Sequence, residues 1–169
     1  MPKKIENIRQ LLLDKAKWLL EKEGYAKLTM RSVASACGLG VGTAYNYFSS
    51  KDMLIASFML EDWRNALQKM QACQAKGVEK AECVYQNLLE FIAQHQTLFS
   101  DEGAQKSYLA SSATWHKQLR EQLSQAVLPA CQGKEQEEFL SLFIADSLLS
   151  WSVEGRAFSD LKPIIEKLL

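Results

Sequence analysis

Residues 29–51 read TMRSVASACGLGVGTAYNYFSSK, and this stretch decides the fold. It predicts two short helices joined by a tight turn, a helix-turn-helix. Thr29 is a good N-cap, because its hydroxyl can accept a bond from an orphan N–H of the first turn. Val33, Ala34 and Cys37 follow at helical spacing and give that helix one buried face. Gly38 ends it, as expected where the chain enters a left-handed conformation. A second helix is expected from about Val41 to Phe48.

The composition of that second helix separates an anchoring side from a displayed side. An α-helix turns 100° per residue. With Ala44 facing the core, Phe48 lies within about 40° of it and the pair anchors the helix. Asn46 and Gly42 then point outward, Thr43 and Tyr45 flank them, and Tyr47 sits nearer the core edge. An amide, a hydroxyl with its methyl, a phenol and two glycine gaps suit the reading of duplex DNA. Asn pairs bidentately with adenine and the Thr methyl packs on thymine. Gly40 and Gly42 let the start of the helix approach a groove wall. Thr29, Tyr45, Tyr47 and Lys51 have the reach for phosphates, which set register without reading sequence.

Working outward, apolar residues recur at three- and four-residue spacing from end to end, and no segment alternates as a strand would. The chain is expected to be all-α, with about nine helices. The first spans roughly Lys4 to Glu23, with Ile5, Ile8, Leu12, Ala16, Leu19 and Leu20 on its buried face. A long fourth helix opens at Lys51 and runs to about Ala75, burying Ile55, Met59, Trp63, Ala66, Leu67 and Met70. Others are expected at 78–94, 104–109, 113–130, 135–153 and 160–169, with His95–Phe99 as a corner and Pro163 in the first turn of the last helix. The 135–153 helix is apolar around most of its circumference and must be covered on both sides. Together with the last helix it predicts a four-helix interface with a second copy, through Phe139, Phe143, Leu149, Trp151, Ile164, Ile165 and Leu168.

Charge supports a divided chain. The 169 residues carry 20 Lys/Arg and 20 Asp/Glu, but residues 1–52 hold nine bases against five acids and the remainder 11 against 15. A basic end of net +4 and an acidic body of net −4 fit a nucleic-acid-binding head at 1–52 and a second domain at 53–169. The four cysteines, Cys37, Cys73, Cys83 and Cys131, have no metal-type spacing and read as small apolar residues in a reducing compartment. No signal peptide or membrane-spanning run is present, so the cytoplasm is the expected address. With two histidines in unrelated contexts, no phosphate-binding glycine loop and no nucleophile motif, neither an enzyme nor a metal or other cofactor is expected.

The pattern Thr29-x-x-x-Val33-Ala34-x-x-Cys37-Gly38, then Gly42-Thr43-Ala44-Tyr45-x-Tyr47-Phe48-x-Ser50-Lys51-Asp52-x-Leu54, resembles the TetR family of transcriptional regulators over residues 5–55. The corner His95-Gln96-Thr97-Leu98-Phe99 is similar to the family's corner after its fifth helix. The resemblance implies a three-helix DNA-binding head and a fourth helix leading to a ligand-binding body. It also implies a homodimer through the last two helices that binds a palindromic operator. Ligand occupancy is then expected to release a repressor from DNA. By position, phosphate contacts fall on Thr29, Tyr45, Tyr47 and Lys51, and base contacts on Arg31, Val41, Thr43 and Asn46. Gly40, where a capping Ser or Thr is common, and Val41, where a polar residue is common, are departures. Both place more of the sequence reading on Arg31, Thr43 and Asn46.

For a small-molecule ligand, Trp63, Tyr85, Phe99, Tyr108, Trp115 and Phe143 are the candidate pocket residues, with ordinary core packing as the alternative. Asp146, inside the apolar run 139–151, has three readings: a partner for a cationic ligand, a partner for an Arg, or, more commonly for such an Asp, a residue on the polar edge of its helix. The competing function is a helical dimer whose head binds protein, or binds no DNA.

Overall fold

A computed structural model describes the backbone of residues 7–109 and 112–169, and the side chains of these except 107–116. Ten α-helices follow one another among the described residues: α1 Ile8–Glu23, α2 Met30–Ala36, α3 Val41–Tyr47, α4 Lys51–Ala72, α5 Gly77–Gln94, α6 Gln96–Phe99, α7 Glu102–Leu109, α8 Ser112–Val127, α9 Glu137–Val153 and α10 Phe158–Leu168. A 3-10 turn, Leu128–Ala130, extends α8. No strand occurs among the described residues. The fold is all-α, an N-terminal three-helix head with a helix-turn-helix followed by a helical body.

The chain divides into two compact units, one of residues 1–62 and 95–110, the other of 63–94 and 111–169. In the first, Leu12, Leu13, Ala16, Leu28, Val33, Ala34, Ala44, Leu54, Ile55 and Phe58 form the buried core. Their i, i+3, i+4 spacing along α1 and α4 is the amphipathic pattern read from the sequence. In the second, α8 and α9 pack along their length around a buried hydrogen bond, 2.9 Å, between the Ser124 and Ser141 hydroxyls. Trp63 meets the edge of Phe91, ring centres 5.1 Å apart, and Nε1 donates to Gln122 Oε1 at 2.7 Å. Tyr85 is fully buried, packs on Phe158 and donates from its hydroxyl to the Arg156 carbonyl at 2.7 Å. Each aromatic polar tip in this core therefore has a partner, as burial requires.

The structure corrects several sequence expectations. The corner after α5 is itself a single helical turn, α6, held by bonds from Leu98 and Phe99 N–H to the His95 carbonyl. The last helix starts at Phe158, two residues before the expected Asp160, because Phe158 is buried against Tyr85. Pro163 consequently lies inside α10 rather than in its first turn, and one ladder bond is forfeited there. Asp146 meets an arginine: Arg120 of α8 grips both its carboxylate oxygens. Cys37 and Cys131 are buried, whereas Cys73 and Cys83 are half-buried.

Candidate nucleic-acid interface

The helix-turn-helix is set by local chemistry at three points. At the start of α2 the Thr29 hydroxyl accepts from Ser32 N–H at 3.0 Å, and Ser32 Oγ accepts from Thr29 N–H at 2.9 Å. This reciprocal capping box satisfies two donors at once. At its end Gly38 takes φ +67°, with Leu39 N–H on the Ala34 carbonyl at 2.9 Å and Gly38 N–H on the Ser35 carbonyl at 3.0 Å. That pair of bonds is a Schellman termination, and it aims the chain into α3. At the start of α3, Gly40 provides no side-chain cap. The departure read from the sequence thus leaves an uncapped helix start at the surface.

Helix α3 is anchored in the head by Ala44 and, at its C-cap, by Phe48. Ala44 is fully buried and Phe48 nearly so, while Tyr45 is 52% exposed, Tyr47 45%, and Val41, Gly42 and Asn46 are also exposed. Thr43 is half-buried. Gly42 has open space where a Cβ would stand. Arg31, on the first turn of α2, is exposed and makes no hydrogen bond or ion pair among the described residues. Beside α3 lies a shallow cleft of about 360 Å³ lined by Tyr45, Asn46, Tyr47, Met53 and Arg9, among others. Arg9 holds its guanidinium 5.6 Å from the Phe48 ring centre and pairs with Glu61 at 2.5 Å. Its place beside α3 depends on tertiary packing that spacing does not reveal.

Lys51 is half-buried and turned inward. Its Nζ sits 3.5 Å from the centre of the Tyr25 ring and donates to the Tyr25 carbonyl at 3.2 Å. The N-terminus of α4 is capped by Ser50, whose Oγ accepts from Met53 N–H at 3.1 Å.

The other sequence candidates lie apart from this surface. Trp63 and Tyr85 are in the core of the second unit, Phe99 is exposed beside His95 in the first, and Phe143 is 50% exposed on α9. Tyr108 and Trp115 fall outside the described side chains. Of the dimer candidates, Phe139, Phe143, Ile164 and Leu168 are exposed, Leu149 and Trp151 half-buried, and Ile165 buried within the chain. No group of three or more potential metal ligands occurs among the described residues.

The head and the all-helical fold define a helix-turn-helix protein. Residues 12–58, the helix-turn-helix head, match the family of bacterial regulatory proteins, tetR family. The HTH-type transcriptional regulator UidR of Escherichia coli (strain K12) is 29% identical over 63 residues, covering 37% of this chain and 32% of UidR. The HTH-type transcriptional repressor KstR of Rhodococcus jostii is 35% identical over 75 residues, 37% of this chain and 35% of KstR. The chain thus spans about a third of the length of the curated relatives it matches. The fold as a whole is similar to a transcriptional regulator from Cytophaga hutchinsonii, with a TM-score of 0.66 at 14% identity, covering 96% of this chain and 95% of that one. It is also similar to the fatty acid degradation regulator FadR from Bacillus halodurans, with a TM-score of 0.60 at 16% identity, covering 98% and 95%.

Proposed function

We propose that the chain is a sequence-specific DNA-binding transcriptional regulator, a cytoplasmic repressor that a small-molecule ligand releases from its operator. The observation that carries this reading is the division of α3. Two residues anchor it, and its remaining side chains are displayed on an open face with glycine at two positions where a groove wall would approach. A helix presenting base-reading groups is what major-groove recognition requires. Tyr45, Tyr47 and Thr29 are placed to grip phosphates, with the α4 N-terminus beside Lys51 contributing its N–H groups. Arg31, Thr43 and Asn46 read bases, Arg favouring guanine and Asn adenine, with Val41 supplying an apolar contact. KstR, 35% identical over 75 residues, is a transcriptional repressor.

Residues 1–52 form the DNA-binding domain in this reading and 53–169 the ligand-binding and dimerisation domain. The operator is a palindrome read by two copies joined through the exposed apolar side chains of α9 and α10. The ligand is held among the aromatic side chains of the body. No helix among the described residues is long and apolar enough to cross a membrane.

Selection of bound sequences from a random DNA pool tests the proposal. Recovery of a palindrome with half-sites about one or more helical turns apart is expected. Affinity for it should fall steeply with salt while a sequence-specific part survives. A pool that yields no motif would overturn the reading in favour of a head that binds protein or nothing.

A further inference from the structure

Arg9 stands on the first turn of α1 and lines the shallow cleft beside α3. The other polar lining comes from Tyr45, Asn46, Tyr47, Ser49 and Ser57, and none of the lining residues is acidic. The cleft therefore offers one cation among neutral hydrogen-bonding groups, a lining that suits an anion. Two contacts hold the guanidinium in place. It lies 5.6 Å from the centre of the Phe48 ring, and Phe48 is the C-cap of α3. Cation–π attraction thus keeps it at the end of the helix that carries Tyr45 and Tyr47. Its Nη1 also donates to Glu61 Oε1 at 2.5 Å. Met53, Ser57 and Glu61 follow at four-residue spacing on α4, so Glu61 continues the stripe of α4 that borders the cleft.

The hold of Glu61 on Arg9 is a loose one. It uses one N–H of the guanidinium, and the others make no hydrogen bond among the described residues. The two side chains are 47% and 28% exposed, and ion pairs this open to water contribute little to stability. A phosphodiester brings the same single negative charge as the carboxylate and accepts two guanidinium N–H groups at once. Exchanging one anion for the other therefore costs little, and the guanidinium gains a bond.

We propose that Arg9 is a phosphate-gripping residue of the DNA interface and that Glu61 is its internal competitor. Glu61 holds the guanidinium in the free protein and yields it to a backbone phosphate in the complex. This inference rests on the DNA-binding reading of the head. With α3 in the major groove, phosphates of the groove wall come to the end of α3 where Tyr45, Tyr47 and Arg9 line one cleft. Arg9 then fixes position without reading bases. Glu61 acts through Arg9 as a positioning residue, and its partial exposure leaves its carboxylate solvated once released.

Fluorescence anisotropy of the full-length protein on a labelled mixed-sequence duplex of about 40 base pairs, at salt between about 50 and 200 mM, tests this. A phosphate contact registers on any sequence, so no operator is needed. Arg9→Gln should weaken binding and lower the slope of log affinity against log salt by about one per bound head. Arg9→Lys should keep most of that slope. Glu61→Gln should tighten binding about two- to fivefold, the gain from freeing a cation held in an exposed pair. In the Arg9→Gln background that gain should be smaller, because no guanidinium is left to free. Circular dichroism verifies that each variant is folded. Should Arg9→Gln lose its fold, Glu61→Gln alone still decides, because a pair that only braces α1 against α4 predicts looser binding when broken. Weaker or unchanged binding in Glu61→Gln, equal gains with and without Arg9, or an unaltered salt slope in Arg9→Gln would each overturn the proposal and leave the DNA reading standing. A wild-type protein that binds no duplex overturns that reading and this inference with it.

Discussion

His95 Nε2 lies 3.3 Å from Asp62 Oδ2, with both side chains buried, while Lys17 Nζ reaches the other carboxylate oxygen at 2.7 Å. Phe58 stacks on the imidazole, ring centres 6.0 Å apart, and Phe99 meets it edge-on. Burial in this apolar box lowers the His95 pKa, with Lys17 acting in the same direction, and the Asp62 charge only partly opposes it. Burial thus favours the neutral imidazole, which lies beside a carboxylate that Lys17 already pairs.

A pH dependence follows, and its sign is fixed by that lowering. Below about pH 6.5, the ordinary histidine value, the unfolded chain takes up a proton that folded His95 refuses. The stability His95 contributes is therefore full above that pH and is lost as pH falls toward the folded value, at no more than about 1.4 kcal/mol per pH unit. Chemical denaturation of wild type and His95→Gln between pH 7.5 and 5.5 measures it. The gap between the two should narrow as the pH drops. A gap that widened instead would mean His95 is a cation paired with Asp62.

Two glycines of the helix-turn-helix should respond oppositely to alanine. At Gly38, φ is +67°, and a Cβ there costs roughly 1–2 kcal/mol. Gly42 has helical backbone and open space at the Cβ position, so Gly42→Ala should stabilise the head by about 0.5–1 kcal/mol. If α3 enters a groove with Gly42 against its wall, the same stabilising change should weaken DNA binding. Thermal melts and a binding titration on one pair of proteins separate these effects. Unchanged DNA affinity in a more stable Gly42→Ala would move the close approach elsewhere on the helix.

The displayed face of α3 also divides reading from gripping. Asn46→Ala and Arg31→Ala should each cost about 1–3 kcal/mol against the preferred site and flatten preference at one base position per half-site. Tyr45→Phe and Tyr47→Phe should weaken binding to all sequences alike, since a lost phosphate bond carries no base preference. Both tyrosines are about half exposed, so neither change should disturb folding. Competition against shuffled duplex scores both classes, and an Asn46→Ala protein with its base preference intact would remove Asn46 from the readers.

The all-helical fold and the head were legible because their signals are local. Apolar spacing marked α1 and α4, Gly38 marked the turn, and Thr29 marked the cap. The second half of that cap, Ser32, was missed because the capping position three residues on more often holds Glu or Gln. What remained hidden is decided by contacts distant in sequence. Lys80 would be placed in solvent by its residue type, yet the end of α4 gives its ammonium two carbonyls. Phe158 starts α10 early because Tyr85 receives it. The Lys51 side chain lies on Tyr25, a contact that neither residue's neighbours in sequence announce.

The apolar residues of α9 and α10 supply the sharpest test of assembly, because the structure sorts them. Phe139 is 67% exposed and Phe143 50%, one helical turn apart on α9, and Ile164 is 50% exposed on α10. Charges at these positions cost an isolated chain little, since exposed side chains away from caps and special backbone usually change stability by less than about 0.5 kcal/mol. In a dimer they would be buried without partners, at a cost of several kcal/mol. The double variant Phe139→Glu, Phe143→Glu is therefore expected to sediment as a folded monomer where the wild type sediments as a dimer. Ile165→Glu, one residue from Ile164 but buried in the chain, should unfold the body instead. The folded monomer should also lose about 10²–10⁴-fold in affinity for a palindromic operator while keeping its half-site affinity, because the second head no longer benefits from being tethered to the first. A double variant that still sediments as a dimer would place the interface on another face of the body.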